Sequence, residues 1–237
     1  MTSREDASVD LVAAIRGGDV DSASRVLGEH RDLVAGPLGG SVGTRTALHV
    51  VTDWPGYFPN GPEMARLLIA AGADPNARPS PDDETPLHWA ASSDDVEVAA
   101  ALIDGGADIE ADKGSIADGT PLTNAVGYGC WHVARLLAAR GASINHLWEA
   151  AALGDRARVD ALLGADPPPT RAELDQAFWH ACSGGQRRMA EHLLGRGADI
   201  NTVPEYAKRT PLEAAGAIYT RREALVTWLR AQGATGT

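Results

Sequence analysis

The sequence of 237 residues has few cysteines, few phenylalanines and no long apolar run. Two cysteines cannot form a disulfide framework, and Cys130 and Cys182 both lie inside helical patterns. We therefore interpret them as buried thiols of a protein in the reducing cytoplasm. No stretch approaches the roughly 18 apolar residues of a membrane-spanning helix, so we expect no membrane association. The N-terminal "MTSREDAS" is acidic and lacks the apolar segment of a signal peptide.

Motifs that carry chemistry are also missing from the sequence. It contains no phosphate-binding glycine loop, no G-x-S-x-G, no H-E-x-x-H and no C-x-x-C. Cys130 and His132 are two residues apart on a predicted helix, so their side chains point in different directions. We therefore predict no metal site and no cofactor.

The net charge of the whole chain is −11. Positive charge is scarce in its first half. Residues 1–118 carry 21 acidic and 8 basic residues, and residues 119–237 carry 11 acidic and 13 basic residues. The first half would repel phosphates, which argues against nucleic-acid binding. The clusters "SPDDETP" and "SSDDVE" are either solvated helix starts or a face for a basic partner. Nineteen of the 21 basic residues are arginine, a usage that suggests a bacterial source.

A repeat is the main feature that is present. In "TPLHWAASSDDVEVAAALIDGGADIEA", residues 85–111, Thr85 can cap a helix that begins with Pro86. A second apolar pattern at helical spacing follows, and Gly105 and Gly106 end it. This helix–turn–helix–finger unit resembles the ankyrin repeat, whose signature is T-P-L-H-x-A over about 33 residues.

The unit recurs along the whole chain. Clear copies contain "TALHVV", "TPLHWA", "TPLTNA" and "TPLEAA", and degenerate copies lie at 11–19, 147–155 and 178–186. The sequence therefore predicts seven units, starting near residues 9, 46, 85, 120, 145, 176 and 210, in one ankyrin-repeat domain covering 1–237. The resemblance implies an all-α, L-shaped solenoid with a concave groove, in which each unit buries its apolar face against its neighbours.

Two consequences follow from the resemblance for the signature histidine position. His49 and His88 occupy it, and in ankyrin repeats this imidazole bonds to backbone across the repeat junction. In the fifth and sixth units, Trp148 and Trp179 stand there and are expected to fill the junction with a large ring.

The same resemblance places specific residues in the concave groove, where ankyrin proteins bind their partners. The second unit also carries an aromatic insertion, residues 55–60 within "DWPGYFPNGP". This insertion either closes over the groove or packs on the scaffold. The resulting candidate binding residues are Asp53, Trp54, Tyr57, Trp89, Asn124, Tyr128, Glu149 and His180.

The leading interpretation is a cytoplasmic binding module that recognises a protein segment or a small ligand through aromatic groove residues. The alternative is an enzyme or small-molecule receptor in which the insertion closes the groove into a pocket. In that case Asp53, or Glu149 with His180, would supply acid–base catalysis. Stacked helices lie about 8–10 Å apart, so Asp53 and Glu149, three repeats apart, are expected to belong to separate subsites.

Overall fold

A computed structural model describes residues 3–38, 45–78, 83–217 and 222–236. Residues 79–82, which include the first three residues of the acidic cluster "SPDDETP" (80–86), lie outside the described residues. Over the described ranges the chain forms helices, one isolated bridge between Leu38 and Arg45, and no strand. The helices are α1 (Arg4–Gly17), α2 (Val20–Glu29), α3 (Ala47–Val51), α4 (Gly61–Ala70), α5 (Pro86–Ser93), α6 (Val96–Asp104), α7 (Pro121–Tyr128), α8 (Trp131–Ala139), α9 (Leu147–Leu153), α10 (Arg156–Leu163), α11 (Arg171–Ser183), α12 (Arg187–Gly195), α13 (Pro211–Ala215) and α14 (Glu223–Ala231), with a 3-10 turn at Arg31–Leu33.

The repeated threonines begin four of these helices. Thr46, Thr85, Thr120 and Thr210 are the N-cap residues of α3, α5, α7 and α13. Proline follows three of them at the first helical position, where its missing N–H costs no hydrogen bond. Capping boxes at Thr85, Thr120 and Thr210 satisfy the first backbone N–H groups.

Two of the three degenerate units begin differently from the sequence expectation. Helix α1 starts at Arg4 because the Ser3 hydroxyl accepts a hydrogen bond from the Asp6 N–H. Helix α11 starts at Arg171, where Thr170 and Glu173 form a capping box, and it extends over 13 residues. Both first helices are therefore longer than the repeat pattern predicts.

The described residues divide into two compact units, 1–142 and 143–237. In the first unit, α1, α3, α5 and α7 contact one another in order, as do α2, α4, α6 and α8. Leu48, Leu87 and Leu122 occupy the same repeat position and are completely buried between the two helical layers. Burial of each leucine side chain contributes roughly 1.5–3 kcal/mol before conformational entropy is subtracted.

The second unit follows the same plan with its own core. Helix α11 contacts α9, α12 and α13, and α13 contacts α14. Phe178 and Leu193 are completely buried in a cluster that also includes Leu225 and Leu229 of α14.

The signature imidazoles bond to backbone carbonyls, as the resemblance predicts. His49 Nε2 lies 3.1 Å from the Glu84 carbonyl oxygen, and His88 Nε2 lies 3.3 Å from that of Gly119. In the second unit the Trp179 indole N–H donates to the Arg209 carbonyl oxygen at 2.8 Å. Because Glu84, Gly119 and Arg209 all directly precede a capping threonine, Trp179 replaces histidine in the same role.

Candidate functional site

Asp53 and Trp89, both predicted binding residues, are linked through an arginine. The Asp53 carboxylate accepts hydrogen bonds from Arg45 at 2.6 Å and from Arg16 at 3.1 Å. The guanidinium of Arg45 also lies 5.3 Å from the centroid of the Trp89 ring, within the range of a cation–π interaction. The His49 ring meets Trp89 edge-on at 5.0 Å. Trp89 is half-buried by these contacts, and its indole is fixed beside a positively charged group.

The insertion after α3 contacts the turn between α5 and α6. The Tyr57 backbone N–H donates to an Asp95 carboxylate oxygen at 2.8 Å, and the Tyr57 hydroxyl donates to the Asp94 carbonyl oxygen. Partial burial and the nearby carboxylates of Asp94 and Asp95 raise the pKa of Tyr57. Of the two interpretations of the insertion, these contacts correspond to packing on the scaffold. Trp54 at its base is 81% exposed.

Asn124 lies on α7 as expected but is completely buried. Its side-chain N–H groups donate to Glu84 at 2.7 Å and to the Ser92 hydroxyl at 3.3 Å. Its oxygen accepts from the Ile116 N–H at 3.1 Å. Asn124 therefore holds the loop before α7 in place and has little contact with solvent.

Tyr128, one turn further along α7, is 54% exposed. Its hydroxyl lies 3.2 Å from the Ser115 hydroxyl, and the Ser115 N–H donates to Glu84 at 2.7 Å. The ring of Tyr128 is thus oriented from one end while its apolar face stays in contact with water.

Glu149, in the second unit, is 1% exposed. Its carboxylate accepts hydrogen bonds from the backbone N–H groups of Asn145 and His146, each at 3.0 Å. These bonds satisfy two donors at the start of α9, so Glu149 acts as a helix cap.

His180 is 2% exposed and sits among aromatic rings. Its Nε2 lies 2.8 Å from the Tyr206 hydroxyl, and its ring lies 4.7 Å from that of Trp148 and 5.0 Å from that of Trp179. Among the described residues its Nδ1 has no hydrogen-bond partner. Burial lowers the pKa of His180 to about 3, so the imidazole is neutral at physiological pH.

Sequence reasoning missed the residues that orient these side chains. Arg45 and Glu84 both directly precede a capping threonine, and their charged side chains contact groove residues. Gly119 stands at the same position before Thr120 and has no side chain. A comparison of the residues before Thr46, Thr85 and Thr210 in the repeats would have identified Arg45, Glu84 and Arg209.

Two clefts of more than 500 Å³ among the described residues lie away from the predicted binding residues. One, of about 570 Å³, is formed by α1 and α2. The other, of about 510 Å³, is formed by residues of the second unit around Gly154 and the start of α12. Across the described ranges there is no cluster of three or more metal-binding side chains. None of the described helices combines the length and the apolar character needed to cross a bilayer.

Paired helices with a layer of first helices and a layer of second helices define the class of helical repeat proteins. Residues 57–146 match the family model of ankyrin repeats in three copies. This match confirms the resemblance seen in the sequence for residues 57–146, which contain ankyrin repeats, and such repeats indicate a protein-interaction module.

A curated relative is the E3 ubiquitin-protein ligase KEG of Arabidopsis thaliana. The two sequences are 33% identical over 85 residues, which cover 36% of this chain and 5% of the relative. The chain therefore spans about 5% of the length of that protein, and the similarity concerns that part alone.

Proposed function

We propose that the protein binds a segment of another protein through an aromatic face formed by the first helices of the first unit and the residues that flank α3. We define this aromatic face by Trp54, Trp89 and Tyr128, together with Arg45. The exposure of Trp54, 81% of its surface, is the main support for the proposal. Exposed indole rings gain little from water and are enriched among the residues that dominate binding energy at protein interfaces.

The fixed orientation of the other two rings supports the same proposal. Arg45 and His49 hold Trp89, and Ser115 holds the hydroxyl of Tyr128. Side chains that are already ordered lose little rotational freedom when a partner binds, which favours affinity. Asp53, held by two arginines, would orient polar atoms of the partner at the edge of this face.

No specific observation favours the acid–base alternative. The carboxylate of Asp53 is engaged by Arg16 and Arg45, and Glu149 and His180 are buried in structural contacts. A small-molecule receptor is kept as an outcome of the test below. We further propose a cytoplasmic location, supported by the buried free thiols of Cys130 and Cys182.

The test uses peptides selected from a displayed random library against the intact chain. We expect Trp89→Ala to change the free energy of unfolding by no more than about 1.5 kcal/mol, because half-burial limits what truncation removes. The same substitution, or Trp54→Ala, should weaken binding of the selected peptides by about 30-fold, as expected for an interface anchor. Urea unfolding and a binding titration measure the two effects.

Val9→Ala provides the control, since Val9 is an exposed apolar residue, 64% accessible, on α1. It should change neither quantity. A loss of about 3–5 kcal/mol in Trp89→Ala with unchanged affinity would assign Trp89 to the core. Failure to select any peptide, together with binding in a parallel screen of small molecules, would favour the receptor.

A further inference from the structure

Three arginines line the cleft of about 510 Å³ in the second unit. The residues forming it are Gly154, Arg156, Gln186, Arg187, Arg188 and Met189, and no carboxylate is among them. Arg156 and Arg187 each bond through Nε to a carboxylate four residues later, at 2.7 and 2.9 Å. These bonds orient the two guanidinium groups and leave their Nη donors for another acceptor. Within the described ranges, Arg188 makes no ion pair.

Two residues that line the same cleft also have free backbone donors. The N–H groups of Arg188 and Met189, at the second and third positions of α12, have no hydrogen-bond acceptor in the described part of the chain. The N-cap residue, Gln186, provides no side-chain hydrogen bond. The first turn of α12 carries two arginines, although the helix dipole favours negative charge at this end. Positive groups thus converge on the cleft from both side chains and backbone.

In the first unit, a side chain of the protein itself places an anion at the corresponding helix start. Asp94 follows α5, and its carboxylate accepts hydrogen bonds from the N–H groups of His132 at 3.0 Å and Val133 at 2.9 Å. Those residues stand at the second and third positions of α8, like Arg188 and Met189 in α12. His132 Nδ1 adds a contact with Asp94 at 2.7 Å. The carboxylate of Asp94 is therefore an internal anion at the equivalent site.

In the second unit the residue at the Asp94 position is Gly154, which follows α9 and has no side chain to offer. Both residues have left-handed backbone conformations, with φ of 77° at Gly154 and 58° at Asp94. The second unit therefore has no carboxylate at the position of Asp94. The cleft lies at that position instead and is lined by three arginines.

We propose that this cleft binds a phosphoryl group. A doubly charged phosphomonoester suits several guanidinium groups and backbone N–H donors better than a single carboxylate does. The phosphoryl group belongs either to a free small phosphate or to a phosphorylated side chain of a protein. This inference does not depend on the aromatic face, because it concerns residues 154–189 alone.

The experiment titrates the intact chain with three probes at constant ionic strength: inorganic phosphate, a short phosphoserine peptide and the same peptide without phosphate. Calorimetry measures affinity, and amide resonances of Arg188 and Met189 report the location of binding. We expect inorganic phosphate and the phosphoserine peptide to bind and to shift these resonances. Equal affinity of the two probes would identify a free phosphate as the ligand, and tighter binding of the peptide would identify a phosphorylated side chain.

Gly154→Asp is the decisive variant, because it introduces a carboxylate where Asp94 has one. The new Cβ would lie 2.7 Å from Gln186 Oε1, the mobile end of a long side chain that can rotate away. We expect phosphate affinity to fall by at least about tenfold, with folding retained. The double variant Arg187→Gln/Arg188→Gln should weaken binding by about tenfold or more, since hydrogen bonds to a charged group are lost.

Arg230→Gln, on α14 outside the cleft, should bind phosphate like the wild type. The proposal is overturned if inorganic phosphate and the phosphoserine peptide bind no better than the peptide without phosphate, or if Gly154→Asp and the double variant bind phosphate as well as Arg230→Gln does. Resonance shifts confined to other residues would also overturn it.

Discussion

Asn124, Glu149 and His180 are predicted to lie on the groove face of their helices, α7, α9 and α11, and Tyr128 shares that face of α7. Tyr128 is exposed, yet the other three residues are buried. Helical spacing predicts the face on which a side chain lies, but it does not predict which loop then covers that face. Asn124 is covered because Gly114 and Ile116 approach its amide closely. The polar character of these residues therefore reflects hydrogen bonds within the scaffold.

The burial of His180 predicts a loss of stability in mild acid. Its pKa is about 3 in the folded chain, against about 6.5 when exposed. The unfolded state therefore binds more protons between these values, and stability is complete above pH 6.5 and falls as the pH decreases toward 3. Between pH 6.5 and 5 the titration of His180 should lower the free energy of unfolding by about 2 kcal/mol.

His180→Phe, which keeps a ring but cannot titrate, should reduce this loss when thermal or urea unfolding is followed at several pH values. His49, whose pKa burial lowers to about 4, should leave part of the loss in place. His30→Gln, on a partly exposed side chain, serves as the control. The same pH dependence in His180→Phe and the wild type would contradict the prediction.

At the scale of helices and loops, the sequence predicted most where its signals are local. The threonine–proline starts of α5, α7 and α13 lie where the repeat pattern places them. Helix α11 starts earlier because the Thr170–Glu173 capping box lies outside the repeat signature. The contacts of the insertion could not be predicted, because they join Tyr57 to residues almost 40 positions later.

Asp95 connects the insertion to α6, and this link predicts how much the insertion contributes to stability. Its carboxylate caps α6 through the Val98 N–H at 3.2 Å and also accepts from the Tyr57 N–H. Asp155 caps α10 in the same way through Arg158, and within the described ranges its carboxylate accepts no second hydrogen bond of this kind. Asp95→Ala should cost about 2–3 kcal/mol, and Asp155→Ala about 1 kcal/mol.

Urea unfolding of both variants measures the difference. Tyr57→Phe, which keeps the backbone bond to Asp95 and removes only the hydroxyl, should lose less than Asp95→Ala. Equal losses in the two aspartate variants would show that the insertion contributes nothing to stability.

At the scale of the whole molecule, the seven-unit, single-domain description from the sequence stays a prediction. The described residues form two compact units, and the family match covers residues 57–146. The repeat period alone cannot locate a boundary between compact units, because it records the similarity of neighbours and not the strength of their contacts. The all-helical fold class, which depends on each repeat separately, is confirmed.

Deletion of residues 210–237 should destabilise the second unit. The segment contributes Ala215, Leu225, Val226 and Leu229 to the core that contains Phe178 and Leu193. Its removal exposes that core to water, at a cost of roughly 1.5–3 kcal/mol for each large side chain. Circular dichroism in urea should show a lower midpoint, whereas a chain ending at Thr235 should unfold like the wild type. An unchanged midpoint in the deletion would show that this segment is an independent tail.

The hydrogen bonds of Asp94 to α8 also bear on how such chains can be recombined. In the described part of the chain, Cys130, the N-cap residue of α8, makes no side-chain cap. The start of α8 therefore depends on the Asp94 carboxylate, one repeat earlier. The segment 120–142 should therefore not be transferred to another repeat protein without the repeat that precedes it. Transferred behind a repeat with glycine at the Asp94 position, it would lose its helix start. Insertions, deletions and grafts in this protein should accordingly keep residues 85–142 together as one exchangeable block.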